Sequence, residues 1–260
     1  MISRSQFFQF WLLLVALVGV AAMDPPSQPI VLSPEQAVKE GRALVEEMLS
    51  LKPTGNKATT GTMSIRARKE FRQFPIQFDI EATPTNFLSR YSATLTNFVV
   101  QIEVLHAEGQ PNIYYQKSYA PGSNGVSRTG ATRELIQGDG IFAPFAGSDF
   151  SIADLGLEFL HWPDQHLLQK EMKRSRSCRV LESINPHPAS GGYSRVKSWV
   201  DLESDGIVQA VAYDVNGKEL KQFFPKDFSK GEDGQWQLEE MQISNSQTGS
   251  TTTVKFNVDR

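Results

Sequence analysis

Cysteine is nearly absent: Cys178 is the only one in 260 residues, so no disulfide can form within the chain and packing alone must hold the fold together. It lies in KRSRSCRV, among basic neighbours with no partner histidine, which argues against a catalytic thiol. Basic residues do not outnumber acidic ones. A formal charge of −3 with 21% charged residues leaves no basic footprint for nucleic acid. The chain also lacks a nucleotide-binding glycine motif, a heptad pattern, a solenoid repeat and the G-x-S-x-G elbow of serine hydrolases.

What is present starts with an export signal. Arg4 precedes the apolar run Trp11 to Ala22, too short to span a bilayer comfortably, and Val20-Ala21-Ala22 offers small residues for cleavage. The expectation is a cleaved signal peptide over residues 1–22, a proline-rich leader over 23–32 and a single domain over 33–260; an uncleaved anchor is the alternative. Without Arg4 the charge falls to about −4. A helix follows, with Ser33 as N-cap, Pro34 in the first turn and Gln36 at capping-box spacing, while Ala37, Gly41, Leu44, Val45, Met48 and Leu49 repeat at helical intervals.

From Thr60 the period changes to two. Met63, Ile65 and Ala67, then Phe74, Ile76, Phe78, Ile80 and Ala82, alternate with polar residues and predict strands with one apolar face. Further strands are predicted at 98–105, 112–119, 193–202, 206–214, 219–224, 236–243 and 251–258, with turns at Glu108-Gly109, Asp205-Gly206, Asn216-Gly217 and Thr248-Gly249. Residues 121–172 read as loop and helix, with a mobile loop at 121–130. Sequential hairpins of this kind build a large curved sheet whose concave side helices must cover.

The stretch most suggestive of chemistry is GSDFSIADLGLEFLHWPDQH, residues 147–166. His161, Asp164 and His166 could form a zinc site or serve a periplasmic metal-dependent hydrolase. A five-residue step, however, rotates two helical histidines apart by roughly 140°, and Pro163 interrupts any helix. Asp149 and Asp154 could do acid–base work, yet Ser151 with Asp154 three later has the spacing of a helix cap. The residues thus favour no catalytic group and no metal or other cofactor.

The C-terminal half carries a resemblance. Gly147, Ser148, Asp149, Phe150, Ser151, Asp154 and Leu155 form one motif; Tyr193, Val196, Trp199, Val200 and Asp201 a second; Tyr213, Asp214, Gly217, Lys218, Leu220 and Lys221 a third. In this order and spacing, over about 142–258, the chain resembles the outer-membrane lipoprotein-sorting, LolA-like proteins, although the family's middle tryptophan- and proline-bearing strand has no clear counterpart. The resemblance implies a mainly β protein, an incomplete (half-open) antiparallel β-barrel with an α-helical lid. It also implies a monomeric periplasmic carrier, not an enzyme, that takes acyl chains of lipoproteins or lipids from an inner-membrane transporter to an outer-membrane acceptor. A non-catalytic accessory subunit of an envelope complex is the alternative. On this reading Leu44, Val45, Met48, Ile152, Leu155, Phe159 and Trp162 belong to the lid, and Ile65, Phe74, Ile76, Phe78 and Ile80 to the sheet wall facing it.

Overall fold

The computed structural model describes residues 32–53, 55–120, 133–189, 192–230 and 236–258. The expected signal peptide, nearly all of the leader and the loop at 121–130 lie outside them. Helix α1 (Pro34–Ser50) begins where its cap predicts: Ser33 Oγ accepts the Gln36 N–H, and the Gln36 side chain accepts the Ser33 N–H. Gly41, Leu44, Val45 and Met48 form its buried stripe.

The strands are β1 (Lys57–Ala67), β2 (Glu70–Ala82), β3 (Asn86–Thr94), β4 (Val99–Ala107), β5 (Ile113–Tyr119), β6 (Glu134–Ile136), β7 (Asp164–Lys173), β8 (Arg176–Ile184), β9 (Arg195–Asp201), β10 (Ile207–Tyr213), β11 (Glu219–Lys230), β12 (Trp236–Asn245) and β13 (Ser250–Phe256). They form one thirteen-stranded sheet in the order β6-β5-β4-β3-β2-β1-β13-β12-β11-β10-β9-β8-β7. Two antiparallel meanders therefore meet at the β1–β13 pair, where Met63 faces Val254 and Ile65 faces Thr252. The edges β6 and β7 do not pair, so the barrel stays half open.

One face of nearly every strand carries the core, including Met63, Ile65 and Phe74 from the first meander and Val196, Phe223, Ile243 and Val254 from the second. Each such side chain contributes roughly 1.5–3 kcal/mol on full burial, which lets the chain do without disulfides. Helix α1 lies along β7 and is tied to the sheet at two further points. Glu47 pairs with Arg179 of β8 at 3.4 Å, and Lys52, just past the helix, pairs with Glu108 of the β4–β5 turn at 2.7 Å. The helix thus reaches from the edge strand's side of the sheet to the opposite meander.

Several sequence expectations need correction. The region 121–172 contains β6 and most of β7, and its helical part is brief: α2 (Ile152–Leu155) has four residues, flanked by 3₁₀ turns at Gly138–Phe142, Phe145–Gly147 and Glu158–His161. Left-handed backbone at Ala146, Gly147 and Leu157 prevents a longer helix. Strand β3 escaped notice because Ser89, Ser92 and Ala93 occupy its buried positions, and β8 because Ser183 and Cys178 do the same. The Asp205-Gly206 turn is not a two-residue hairpin, since five residues separate β9 from β10 and Asp205 itself takes φ 58°. Gly217 does adopt the left-handed conformation, φ 76°, in a loop braced by Asp214 Oδ1, which accepts the Asn216 and Lys218 N–H groups.

The contact of α1 with β7 is backbone-close. A Cβ on Gly41 would stand 2.5 Å from the Gln165 carbonyl oxygen, whereas one on Gly55 would meet nothing. Gly41→Ala should therefore cost about 1–3 kcal/mol by forcing the helix off the strand, despite alanine's better helix propensity. Gly55→Ala should change stability by less than about 1 kcal/mol. Urea unfolding of both variants checks this; equal midpoints would refute the close approach.

Candidate ligand-binding cavity

Residues 143–162 form a plug that enters the half-open barrel, and its acidic residues act as anchors. Asp149 accepts hydrogen bonds from Ser250 Oγ and from Thr252 Oγ1 (2.7 Å), while its own N–H donates to Thr252 Oγ1 at 2.9 Å. Ser151 caps α2, and Asp154 returns the bond to the Ser151 N–H at 2.7 Å while accepting from the Tyr193 hydroxyl at 3.0 Å. At the far end Gln165 donates to the carbonyls of Phe159 and Trp162 and accepts from Ser183 Oγ. Between these anchors Phe150, Ile152, Leu155, Phe159 and Leu160 are buried in the common core. The suspected acid–base residues thus fasten a cover to the sheet.

The plug fills one half of the barrel and leaves a space in the other. A cavity of about 370 Å³ lies between the end of α1, the inner faces of β2 to β4 and residues 155–161. Phe78 and Ile80 of β2, Phe87 of β3 and Leu155, Leu157 and Leu160 of the plug supply its apolar wall. Thr85, Glu108, Gly109, Gln110 and Pro111, all exposed, form its mouth. Its volume lies within the ~300–1,000 Å³ typical of small-molecule sites. Phe78, Tyr91 and Leu155 also line a second void of about 40 Å³ deeper in the core, and so stand as a partition between the two. Tyr91 holds this wall together: its ring lies 4.8 Å from that of Phe78, and its hydroxyl donates to the Leu155 carbonyl at 2.9 Å.

The cavity has one polar side. His106 stacks on Phe87 at 4.3 Å, and Asn112 and His161 lie beside it. Asn112 Nδ2 donates to the Gly156 carbonyl at 2.7 Å, and the Tyr114 hydroxyl donates to Glu158 at 2.8 Å. Burial, then the proximity of His161, lowers the His106 pKa to about 3; burial also lowers that of His161 and raises that of Glu158. Both histidines are therefore neutral at pH 7.

Of the residues predicted from sequence, Phe78, Ile80 and Leu155 line the cavity. Ile76 borders the smaller void. Leu44, Val45, Met48, Ile65, Phe74, Ile152 and Phe159 are packed in the filled core, and Trp162 is half-buried against it. The His161/Asp164/His166 site does not assemble: His161 turns toward the cavity from a 3₁₀ turn while Asp164 and His166 lie on β7, and among the described residues no three His, Cys, Asp or Glu groups could hold a metal ion. The Cys178 thiol is buried on the other face of the sheet, and its pKa is pushed up to about 11, chiefly by burial. Sequence reasoning missed Phe87, Asn112, Tyr114 and Leu157 and gave His106 no role. The Glu108-Gly109 turn was the available signal for His106 and Asn112, since it brings both to one end of a hairpin.

Comparison with solved structures defines the class. The chain is similar to a domain assigned to outer membrane lipoprotein-sorting proteins from Vibrio parahaemolyticus (19% identity, TM-score 0.65, covering 85% of this chain and 91% of that one). It is similar to a DUF1329 family protein from Desulfovibrio piger (20%, 0.64, 85% and 91%) and to a LolA superfamily protein from Nitrosomonas europaea (14%, 0.54, 86% and 94%). The fold is thus the open β-barrel of the LolA-like proteins, as the sequence motifs implied. Residues 126–258 match the model of a family described as "Uncharacterized protein", and the chain belongs to that family. No curated protein matches the sequence. Among the described residues no helix is long and apolar enough to cross a membrane.

The buried histidines predict a pH dependence. The unfolded chain takes up a proton at His106 below about pH 6.5, but the folded chain resists it down to about pH 3, so stability is lost as pH falls through that window. Glu158 acts in the opposite sense, because its raised pKa makes its contribution fade as pH rises above 4.5. Between pH 7 and 5 the histidines dominate, with a slope up to about 1.4 kcal/mol per pH unit for one proton. Urea midpoints should fall from pH 7 to pH 5 in the native chain and fall markedly less in His106→Leu; parallel declines would refute the assignment.

Proposed function

We propose that this protein is a periplasmic carrier that holds an acyl chain of a lipid or lipoprotein inside the half-open barrel and moves it toward the outer membrane. The observation that carries the reading is the 370 Å³ cavity, walled by aromatic and aliphatic side chains and covered by segments that are not part of the sheet. The LolA-like fold supports it, and an export signal over residues 1–22 would bring the chain to the compartment where such cargo travels. By this chemistry its direct partners are a transporter that loads the cargo and an acceptor that removes it.

The energetics define what the cavity must do. At ~0.8 kcal/mol per methylene, a chain of about 16 carbons costs on the order of 10 kcal/mol to expose to water. Phe78, Ile80 and Leu155 are the proposed first contacts. Leu44, Val45 and Met48 of α1 together with Ile152, Phe159 and Trp162 of the plug form the proposed lid, packed on the wall that includes Ile65, Phe74 and Ile76. A movement of the Phe78–Tyr91–Leu155 partition joins the cavity to the deeper void and lengthens the site. Closing the partition again would help expel the cargo, because lid and ligand compete for the same apolar surface.

Ala107 lines the cavity near its mouth and carries no packing of its own in the core. Ala107→Trp should fill the space and weaken uptake of a fluorescent fatty alcohol by about tenfold or more, a loss of about 1.4 kcal/mol, with an unchanged thermal midpoint. Undiminished uptake by a folded variant would exclude this cavity as the binding site.

A further inference from the structure

We propose that the cavity selects a single-chain amphiphile whose head both donates and accepts a hydrogen bond, a hydroxyl or un-ionised carboxyl group, over an anionic head or a bare hydrocarbon. This rests on the carrier reading and specifies its ligand. Two buried polar atoms at the cavity make no well-formed hydrogen bond among the described residues: Asn112 Oδ1, which has the His106 ring beside it, and His161 Nε2. The orientation of the amide is determined by its neighbour. The Gly156 carbonyl can only accept, so Asn112 must turn Nδ2 toward it at 2.7 Å and present Oδ1 elsewhere. An amide oxygen can only accept, so a ligand that satisfies it must bring a proton. The imidazole Nε2 of His161 can then donate to the same head or accept from it.

Charge points the same way. Glu158 belongs to this cluster through Tyr114, and burial keeps His106 and His161 neutral, so among the described residues no cation at the polar side offsets an anionic head. Lys52, at the rim, is already paired with Glu108. A carboxylate or phosphate would enter without a proton for Asn112, and an alkane would leave both atoms unpaired after displacing their water. The space suits a short tail: 370 Å³ equals about a dozen groups of the ~30 Å³ that one water occupies, and a methylene is of similar size.

Calorimetric titration of the mature protein with 1-decanol, decyl methyl ether and decanoate at pH 8 tests the proposal. Decanol should bind about tenfold or more tightly than either of the others. The preference over the ether should shrink to about threefold or less in Asn112→Leu, with His161→Phe as a second variant should the first fail to fold. Equal binding of decanol and its ether, or decanoate binding as tightly as decanol, would overturn the head-group inference and leave the carrier reading standing. Binding of none of the three would remove the carrier reading itself.

From the charge distribution we infer, independently of the cavity, that the tip of the β1–β2 hairpin docks on an anionic lipid surface. The β1–β2 ladder runs on to Ala67 and Glu70, while β3 accompanies β2 only as far as Ile76, so residues 67–75 extend past that neighbour. Within the tip Arg66, Arg68, Lys69 and Arg72 oppose one acid, Glu70, on a chain whose net charge is −3. None of these four cations is in an ion pair among the described residues, and Phe71 between them is 58% exposed. Arg72 donates to the Gly147 carbonyl at 2.8 Å and Arg66 lies 5.9 Å from the Phe71 ring centroid, which leaves Arg68 and Lys69 at the turn beside an exposed aromatic. That grouping suits an anionic membrane interface, where the charges meet lipid headgroups and the ring enters the boundary below them.

Sedimentation with phosphatidylglycerol-containing vesicles should retain the protein at low salt, release it at high salt, and show no binding to phosphatidylcholine alone. Arg68→Glu combined with Lys69→Glu should weaken vesicle binding about tenfold or more, and Phe71→Ser should weaken it at every salt concentration at which the native chain binds. Absence of binding by the native chain, as expected if the tip met only an acidic protein, would overturn the inference. Equal binding by the charge-reversed variant would do the same.

Discussion

A sheet with one apolar face that does not close on itself must be covered by chain from outside the sheet, and this requirement organises the whole molecule. The edges β6 and β7 never meet, so the inner face of thirteen strands would stand open to water without α1 and the plug. The plug is fastened by polar groups at both ends and α1 by ion pairs near its C-terminal end, while apolar side chains fill the space between. Gln165 shows how few groups this takes: one buried amide holds the end of the plug to β7 and β8 through three hydrogen bonds. Satisfied polar anchors of this kind define one seating for a cover that hydrophobic packing alone would leave free to slide.

The covering is unequal, and side-chain size explains where the space remains. Along the second meander the inner face carries Phe223, Ile243, Leu238 and Val254, which share one core with Phe150 and Phe159 of the plug and leave little empty volume. On β3 and β4 the corresponding end presents Ser89 and Ala107, too small to reach the plug. The barrel is therefore filled on one side and hollow on the other. Cys178, Val180, Trp199, Val208 and Val211 form a second apolar cluster on the other face of β8 to β10.

The parts of this arrangement that were legible in the sequence are those set by local rules. Alternation along 74–82 revealed the inner face of β2, and the Ser33 and Ser151 caps located the starts of α1 and α2. Strands β3, β7 and β8 were hidden because small polar residues or surface charges replace large apolar ones at the positions a period-two pattern needs. The cavity was hidden for a different reason. Periodicity tells which side chains share a face, but the unfilled part of that face depends on Phe87, His106, Asn112 and Leu157, brought together from β3, β4, the β4–β5 turn and the plug. Leu157 is the clearest case, since its left-handed backbone, φ 50°, turns the plug toward the cavity at a residue type that normally avoids it.

The polar side of the cavity also bears on how the empty protein survives. A dry apolar void costs about 24 cal/mol per Å³ in cavity-creating core substitutions, which for 370 Å³ would be roughly 9 kcal/mol, comparable to the whole ~5–15 kcal/mol stability of a domain. A cavity of that size is tolerable only if water occupies it, and water stays only where it finds hydrogen-bond partners. Asn112 Oδ1, His161 Nε2 and the open mouth at Gly109 to Pro111 meet that requirement. On the carrier reading the same atoms that let the empty state hold water also set the limit on affinity, because entering cargo must replace those hydrogen bonds as it gains apolar contact. A cavity lined wholly by hydrocarbon would either collapse when empty or retain its cargo; one with a polar side can do neither, and exchange becomes possible.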